Sequence, residues 1–225
     1  MTYLNSYNNN PTIKTQLVAA MIADKEAENV VKGHYYFRGR GCNIGCAEFE
    51  LCKITGDKFT DMRHSYLSKK LQIPEFLLQL ADTIFERLPE EQSQKWAGAE
   101  FWEAIPVGKD LTLLDSKIKI EILINNKFGC YQYADAKTKV IINQVVKLHK
   151  ANIEGEGWDA AAANCARFDA VKDDDSAVAQ VAWYATSSAA RSAGLAASYA
   201  ADLATARHCF YLLLSEKVIE LIKES

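Results

Sequence analysis

The chain has 225 residues, a formal net charge of −3, and a composition that is 49% hydrophobic and 24% charged. Such a chain can bury a full hydrophobic core, which excludes a disordered protein and removes the need for disulfide staples. The 26 basic residues are scattered, which argues against an extended nucleic-acid interface. The start shows no basic or apolar leader and no long apolar run follows, so we expect a cytoplasmic protein without membrane segments.

The six cysteines are expected to be free thiols, because a chain without an export signal belongs in a reducing compartment. Cys165 and Cys209 lie inside apolar helical patterns. A free thiol in such a pattern behaves as a small hydrophobic side chain. We therefore predict that these two cysteines are packing residues.

Apolar residues recur every three or four positions through much of residues 11–154, as on one face of a helix. The clearest helix begins at Pro74 and ends before Pro89. The segment 117–124 alternates polar and apolar residues like a strand, but its apolar flanks favour a buried helix. Other helices are predicted over residues 11–31, 47–54, 90–104 and 140–148. Residues 11–154 are thus predicted to form a helical core domain that contains a turn rich in glycine and cysteine.

The composition becomes rich in alanine after residue 155. Alanine has the highest helix propensity, and its small side chain lets helix axes approach closely. We predict that residues 155–225 pack on the core as a helical hairpin or one long helix, ending in an amphipathic helix over 210–222. The predicted fold class is therefore all-α, a multi-helix globular domain. The alanine-rich helix faces could also pair two copies of the chain.

The segment from His34 to Cys46 is the one place where the sequence suggests a binding site. Glycines there allow positive φ and close backbone approach, and amides at a helix N-terminus attract anions. Arginines in the same segment supply charged hydrogen-bond donors. The predicted ligand-binding residues are Arg38, Gly39, Arg40, Gly41, Cys42, Asn43, Gly45, Cys46 and His64. The alternative is a tight irregular turn that needs glycine only for its geometry.

Two kinds of chemistry are open to the cysteines of this segment. Cys42 and Cys46 stand four apart and, with His64, offer donors that suit a metal. Their spacing matches neither a standard zinc pattern nor an iron–sulfur pattern, so we predict no metal and no other cofactor. A catalytic pair is the second possibility, with Cys42 as nucleophile at a helix N-terminus and His64 as its base.

The acids Asp82 and Glu86 stand four residues apart on the clearest helix. This spacing presents two carboxylates to one side of a helix and can serve a site. It is also the common pattern of a solvated face, where Arg87 and Lys69 would balance the charge.

Residues 39–46, G-R-G-C-N-I-G-C, are similar to the G-K-G-C-A-V-G-C stretch of a group of uncharacterised phage and bacterial proteins. His64 precedes Ile73-Pro74-Glu75 as in the H-x8-I-P-E of that group, residues 82–89 resemble its D-x-I-F-E-G-L-P, and residues 104–108 its A-I-P-V-G. The alanine-rich ending is also similar. This chain departs from the group by extra residues between Cys46 and His64, and by Gln72 and Arg87 where glycine is usual. The resemblance implies a phage or mobile-element setting and brings no activity with it.

These patterns favour a non-enzymatic binding protein of phage or mobile-element type in the host cytosol. Its partner would be a small anionic molecule or a host or phage protein, recognised at the Gly39–Cys46 turn. One alternative is a cysteine- or metal-dependent enzyme that uses Cys42 or Cys46 with His64. The other is a structural protein that assembles through its alanine-rich helices.

Overall fold

A computed structural model describes residues 5–59, 64–172, 177–185 and 207–225. The all-α prediction is confirmed, because the regular structure of these residues is helical apart from one two-stranded sheet. Much of the alanine-rich region whose faces could pair two copies of the chain falls on residues 186–206, which lie outside the described residues. The choice between a helical hairpin and one long helix falls there too.

The chain forms two compact units, one of Met1–Thr112 with Lys217–Ser225 and the other of Leu113–Glu216. The sequence places its boundary at the change of composition near residue 155, whereas the structure divides the chain near residue 112. The difference arises because helices on both sides of residue 155 pack against one another in the second unit.

The first unit is built from helices and one short hairpin. Its elements are α1 (Pro11–Glu26), β1 (Tyr36–Phe37), β2 (Arg40–Gly41), α2 (Asn43–Thr55), α3 (His64–Leu71), α4 (Glu75–Arg87), α5 (Glu90–Lys95), a π-helical turn (Trp96–Glu100) and α6 (Phe101–Ala104), preceded by a 3₁₀ segment (Ser6–Asn9). The largest buried side chains of this unit belong to Tyr7, Leu17, Met21, Phe85, Trp96, Phe101 and Trp102.

Capping explains where several of these helices start. Asn10 accepts hydrogen bonds from the first amides of α1, and Pro11 occupies the first helical position, where its missing N–H costs nothing. α2 begins at Asn43 and not near residue 47, because the Cys42 side chain caps its first turn. α3 and the hairpin were not predicted, since both are too short to show a clear period.

The second unit is also helical. Its elements are α7 (Leu114–Ile124), a 3₁₀ segment (Cys130–Tyr133), α8 (Ala136–Ile153), α9 (Ala160–Lys172), α10 (Ala177–Ala185) and the start of α11 (Arg207–Lys223). α7 confirms the helical interpretation of residues 117–124. Within the described part of the chain, none of the helices combines the length and apolar character needed to cross a bilayer.

A buried histidine joins three helices of the second unit. His149 of α8 has its Nδ1 3.1 Å from the Ser116 hydroxyl of α7 and its Nε2 2.8 Å from the Ala185 carbonyl of α10. The Trp158 ring lies 5.0 Å from the imidazole ring. Burial, with a smaller contribution from the nearby charge of Lys119, lowers the pKa of His149 to about 4. The folded unit therefore holds this histidine neutral.

We expect His149 to make the second unit sensitive to acid. Between the ordinary histidine pKa of about 6.5 and the folded value of about 4, the unfolded chain binds a proton that the folded chain excludes. Stability is complete above this window and falls as the pH drops through it, by about 2 kcal/mol from pH 7 to pH 5. Urea unfolding at the two pH values measures this loss. His149→Gln should remove that part of the pH dependence, while His34→Gln, at an exposed position, should leave it unchanged.

Candidate metal centre

The glycines of the predicted turn allow two stretches of backbone to cross at close range. A Cβ atom added to Gly45 would lie 1.6 Å from the Tyr35 carbonyl oxygen, and one added to Gly41 would lie 2.2 Å from the same oxygen. Residues 41–48 are all buried. Gly41 and Gly45 are therefore required by the crossing, and this part of the turn has no open face towards solvent.

The exposed part of the turn is the tip of the hairpin. Arg38 and Gly39 join β1 to β2 with positive φ angles of 52° and 85°, the pattern of a tight hairpin turn. The Arg38 guanidinium lies 5.0 Å from the centre of the Phe37 ring. Arg40 donates from Nε to the Glu28 carbonyl. The two arginines thus lie at the surface and do not point at Cys42 as a charged fork.

Cys42 lies at the foot of this hairpin and is 2% exposed. Its amide donates to the His34 carbonyl at 2.7 Å, and its Sγ accepts from the Gly45 amide at 3.4 Å. Burial raises the pKa of the thiol, and the neighbouring Asp82 carboxylate raises it further. The hydrogen bond from the Gly45 amide, at the N-terminus of α2, lowers this pKa by a smaller amount. The thiol is therefore protonated.

Asp82 and Glu86 of α4 lie beside this thiol. One donor atom from each of Cys42, Asp82 and Glu86 lies within 4.8 Å of the others, the one group of metal-ligating side chains with this geometry in the described part of the chain. The Glu86 carboxylate accepts from the Gly33 amide at 3.0 and 3.1 Å. Burial raises the pKa of Glu86, and the charge of Asp82 contributes in the same direction.

His64, the first residue of α3, lies beside this cluster and contacts one of its members. Its Nε2 lies 3.5 Å from Asp82 Oδ2, with 18% of the His64 side chain and 23% of the Asp82 side chain exposed. Within the described residues, the buried side-chain atoms without a hydrogen-bond partner include His64 Nε2, Asp82 Oδ1 and Gln79 Oε1. Buried polar atoms are normally paired, and an ion is one of the usual reasons for an exception.

The other predicted site residues lie outside the cluster. Cys46 directs its Sγ to the Gly41 and Asn29 carbonyls, and burial raises its pKa to about 12. Asn43 is buried and accepts from Trp102 Nε1 at 2.8 Å. Asp82 and Glu86 are half-buried, so they do not form the open solvated face that was the alternative. The charge of Arg87 nevertheless acts on Glu86 and lowers its pKa slightly.

The sequence contained only part of the signal for this site. It grouped Cys42 and Cys46 with His64 and considered the Asp82/Glu86 pair apart from them, but no spacing indicates that the two groups converge. The role of Gly33 was not anticipated at all, because its contribution is a backbone amide. No protein-family model, curated protein or solved structure matches the chain, so the function of the cluster has to be inferred from its geometry.

We expect Gly45→Ala to destabilise the first unit by about 3 kcal/mol, because its methyl group would overlap a backbone oxygen that cannot move alone. Gly39→Ala is the matched control, since nothing lies within 4 Å of an added Cβ there. Its cost should be about 1 kcal/mol, from the positive φ only. Urea denaturation of both variants tests this, and equal losses would contradict the crossing.

Thiol accessibility should separate the cysteines into two classes. Cys165 and Cys209 are exposed, so the prediction that they are packing residues was wrong. We expect iodoacetamide to label these two first and Cys42 only slowly, since Cys42 is buried with a raised pKa. Peptide mass spectrometry gives the order. Fast labelling of Cys42 would favour the nucleophile alternative instead.

Proposed function

We propose that this protein is a non-enzymatic binding protein whose ligand is a divalent metal ion. The ion would be held by Cys42, Asp82 and Glu86, with His64 beside Asp82. The observation that carries the proposal is the convergence of three ligand atoms to within 4.8 Å, at a place where His64 and Asp82 also hold unpartnered buried atoms.

The distances suit a transition metal. Zn²⁺ binds sulfur at about 2.3 Å and carboxylate oxygen at about 2.1 Å, so tetrahedral ligand atoms stand about 3.6 Å apart. Closing from at most 4.8 Å requires a shift of about 1 Å, which side-chain rotations of Asp82 and Glu86 can supply. A thiolate among the ligands favours zinc-like ions over Mg²⁺ and Ca²⁺, which prefer oxygen alone.

The charge of the ligand set favours holding an ion over catalysis. Cys42, Asp82 and Glu86 as ligands carry three negative charges, more than a divalent ion neutralises. Hydrolytic zinc sites keep the ion positive with mostly neutral histidine ligands, and this positive charge lowers the pKa of the bound water. A site with a net negative charge would lower the pKa of a bound water only weakly.

A cysteine nucleophile is less well supported. The neighbour that most affects the Cys42 thiol is the Asp82 carboxylate, which opposes ionisation, whereas reactive cysteines lie beside cations. Metal-dependent catalysis at this cluster is the enzymatic alternative. Assembly through the alanine-rich helices and the phage setting stay predictions that rest on the sequence.

Metal binding is tested by dialysis against Zn²⁺ followed by elemental analysis, with affinity measured by calorimetry. We expect one ion per chain, and a loss of affinity of at least about 100-fold in Cys42→Ser and in Asp82→Asn, since even changes in supporting residues cost 10–100-fold. Cys46→Ser is the matched control: it replaces a buried cysteine one helical turn away whose thiol donates to the Asn29 and Gly41 carbonyls. Equal loss in the control, or no bound ion, would contradict the proposal.

The same variants have a second signature in the presence of a chelator. If the function of the Asp82/Glu86 pair is to bind an ion, the two carboxylates repel each other in the metal-free protein. For charges near 4 Å apart in water this repulsion is about 1 kcal/mol. We therefore expect Asp82→Asn to leave the metal-free protein as stable as the parent or more stable, while weakening Zn²⁺ binding. A clear loss of stability in the chelator would show that Asp82 serves the fold instead.

A further inference from the structure

The two ends of one short segment of chain are both connected to the metal ligands: Cys42 is itself a ligand, and Gly33 donates its amide to the ligand Glu86. Gly33 is tied to α4 through its amide and the Glu86 carboxylate, and Cys42 lies against Asp82 and Glu86 of the same helix. The residues between these points form the β1–β2 hairpin and its approach. A single ion would therefore bind one end of the segment directly, through Cys42, and the other through the Glu86 that holds Gly33.

The hairpin has little of its own to hold it together. β1 and β2 are two residues long and pair Tyr36 with Gly41 and Phe37 with Arg40, and isolated hairpins of any length are marginal in water. Arg38 takes a positive φ of 52°, which costs about 1 kcal/mol or more in a residue with a side chain. Phe37 is 66% exposed and so contributes little burial.

The contacts that anchor the segment lie at its base. The Tyr36 ring stacks on Phe49 of α2 with ring centres 4.5 Å apart, and Gly41 exchanges backbone hydrogen bonds with Asn29 and Val31. Residues 37–40 beyond these contacts are exposed. Opening the tip far enough for another molecule to engage its backbone must therefore disturb the base, where the metal ligands are.

We propose, resting on the proposed metal site, that the ion acts as a clip at the base of the hairpin and so controls whether the tip of Phe37, Arg38, Gly39 and Arg40 is held in its folded shape. Joining two points of a chain suppresses the states in which they separate. An ion that binds the closed form alone lowers the open population by the factor 1 + [ion]/Kd. The exposed arginines and phenylalanine thus become a surface whose shape depends on metal.

Limited trypsin digestion tests this directly, because Arg38 and Arg40 are themselves cleavage sites on the tip. The metal-free full chain is digested under native conditions with and without Co²⁺, whose binding is followed by its thiolate charge-transfer absorption. Cleavage after Lys127, an exposed loop residue of the second unit, is the internal control. We expect Co²⁺ at about 100 times its Kd to slow cleavage at Arg38 and Arg40 by up to about 100-fold, with little change at Lys127.

Two variants distinguish a local effect of the ion on the hairpin from a general stabilisation of the protein by the ion. Glu86→Gln keeps an oxygen that can accept from Gly33 but loses a charged ligand, and it should lose most of the protection by Co²⁺. Cys46→Ser should retain both binding and protection. If Co²⁺ binds and the tip is not protected, or Lys127 is protected equally, the clip is wrong and the metal site stands. If no Co²⁺ binds, both proposals fail.

Discussion

The close passage of the Tyr35 carbonyl over Gly41 and Gly45 is the constraint on which the first unit depends. It brings the chain back across the start of α2, so that Cys42 becomes the cap of that helix and not a residue of a free loop. With Cys42 fixed there, its side chain can lie against α4 and nowhere near the exposed hairpin tip. The glycines therefore act on the site indirectly, by deciding where a sulfur atom is placed.

Placing two carboxylates and a thiol together in a half-buried position runs against stability. Glu86 is easier to protonate than usual because of burial and of Asp82, and the thiol stays protonated for the same kinds of reason. The hydrogen bond from the Gly33 amide stabilises the charged form of Glu86 and so offsets part of its burial cost, but it does not act on Asp82 or Cys42. Local arrangements that oppose folding are typical of functional sites, and a divalent cation is the ligand that turns this repulsion into attraction.

How much of this the sequence could foretell differs between the fold and the site. The helix of Pro74 to Pro89 and the helical nature of residues 117–124 follow from apolar periodicity and proline positions, which act locally. The convergence of Cys42 with Asp82 depends on the crossing of two backbone stretches at Gly45. In the sequence, the only sign of this crossing is a glycine, which does not reveal its partner. The exposure of Cys165 was missed for a related reason: periodicity shows that a helix has an apolar side, not which neighbour covers it.

The arginines of the turn illustrate why a site predicted by residue type needs its geometry. The sequence groups Arg38 and Arg40 with Cys42 because they are adjacent, and that grouping suggests an anion. In the structure the hairpin separates them: the arginines lie at the exposed tip, and Cys42 lies at the base among carboxylates that would repel an anion. This short segment thus has a basic outer end, while its inner end lies against the acidic side chains of α4. A cation at the base is compatible with both, because it compensates the acids without meeting the arginines.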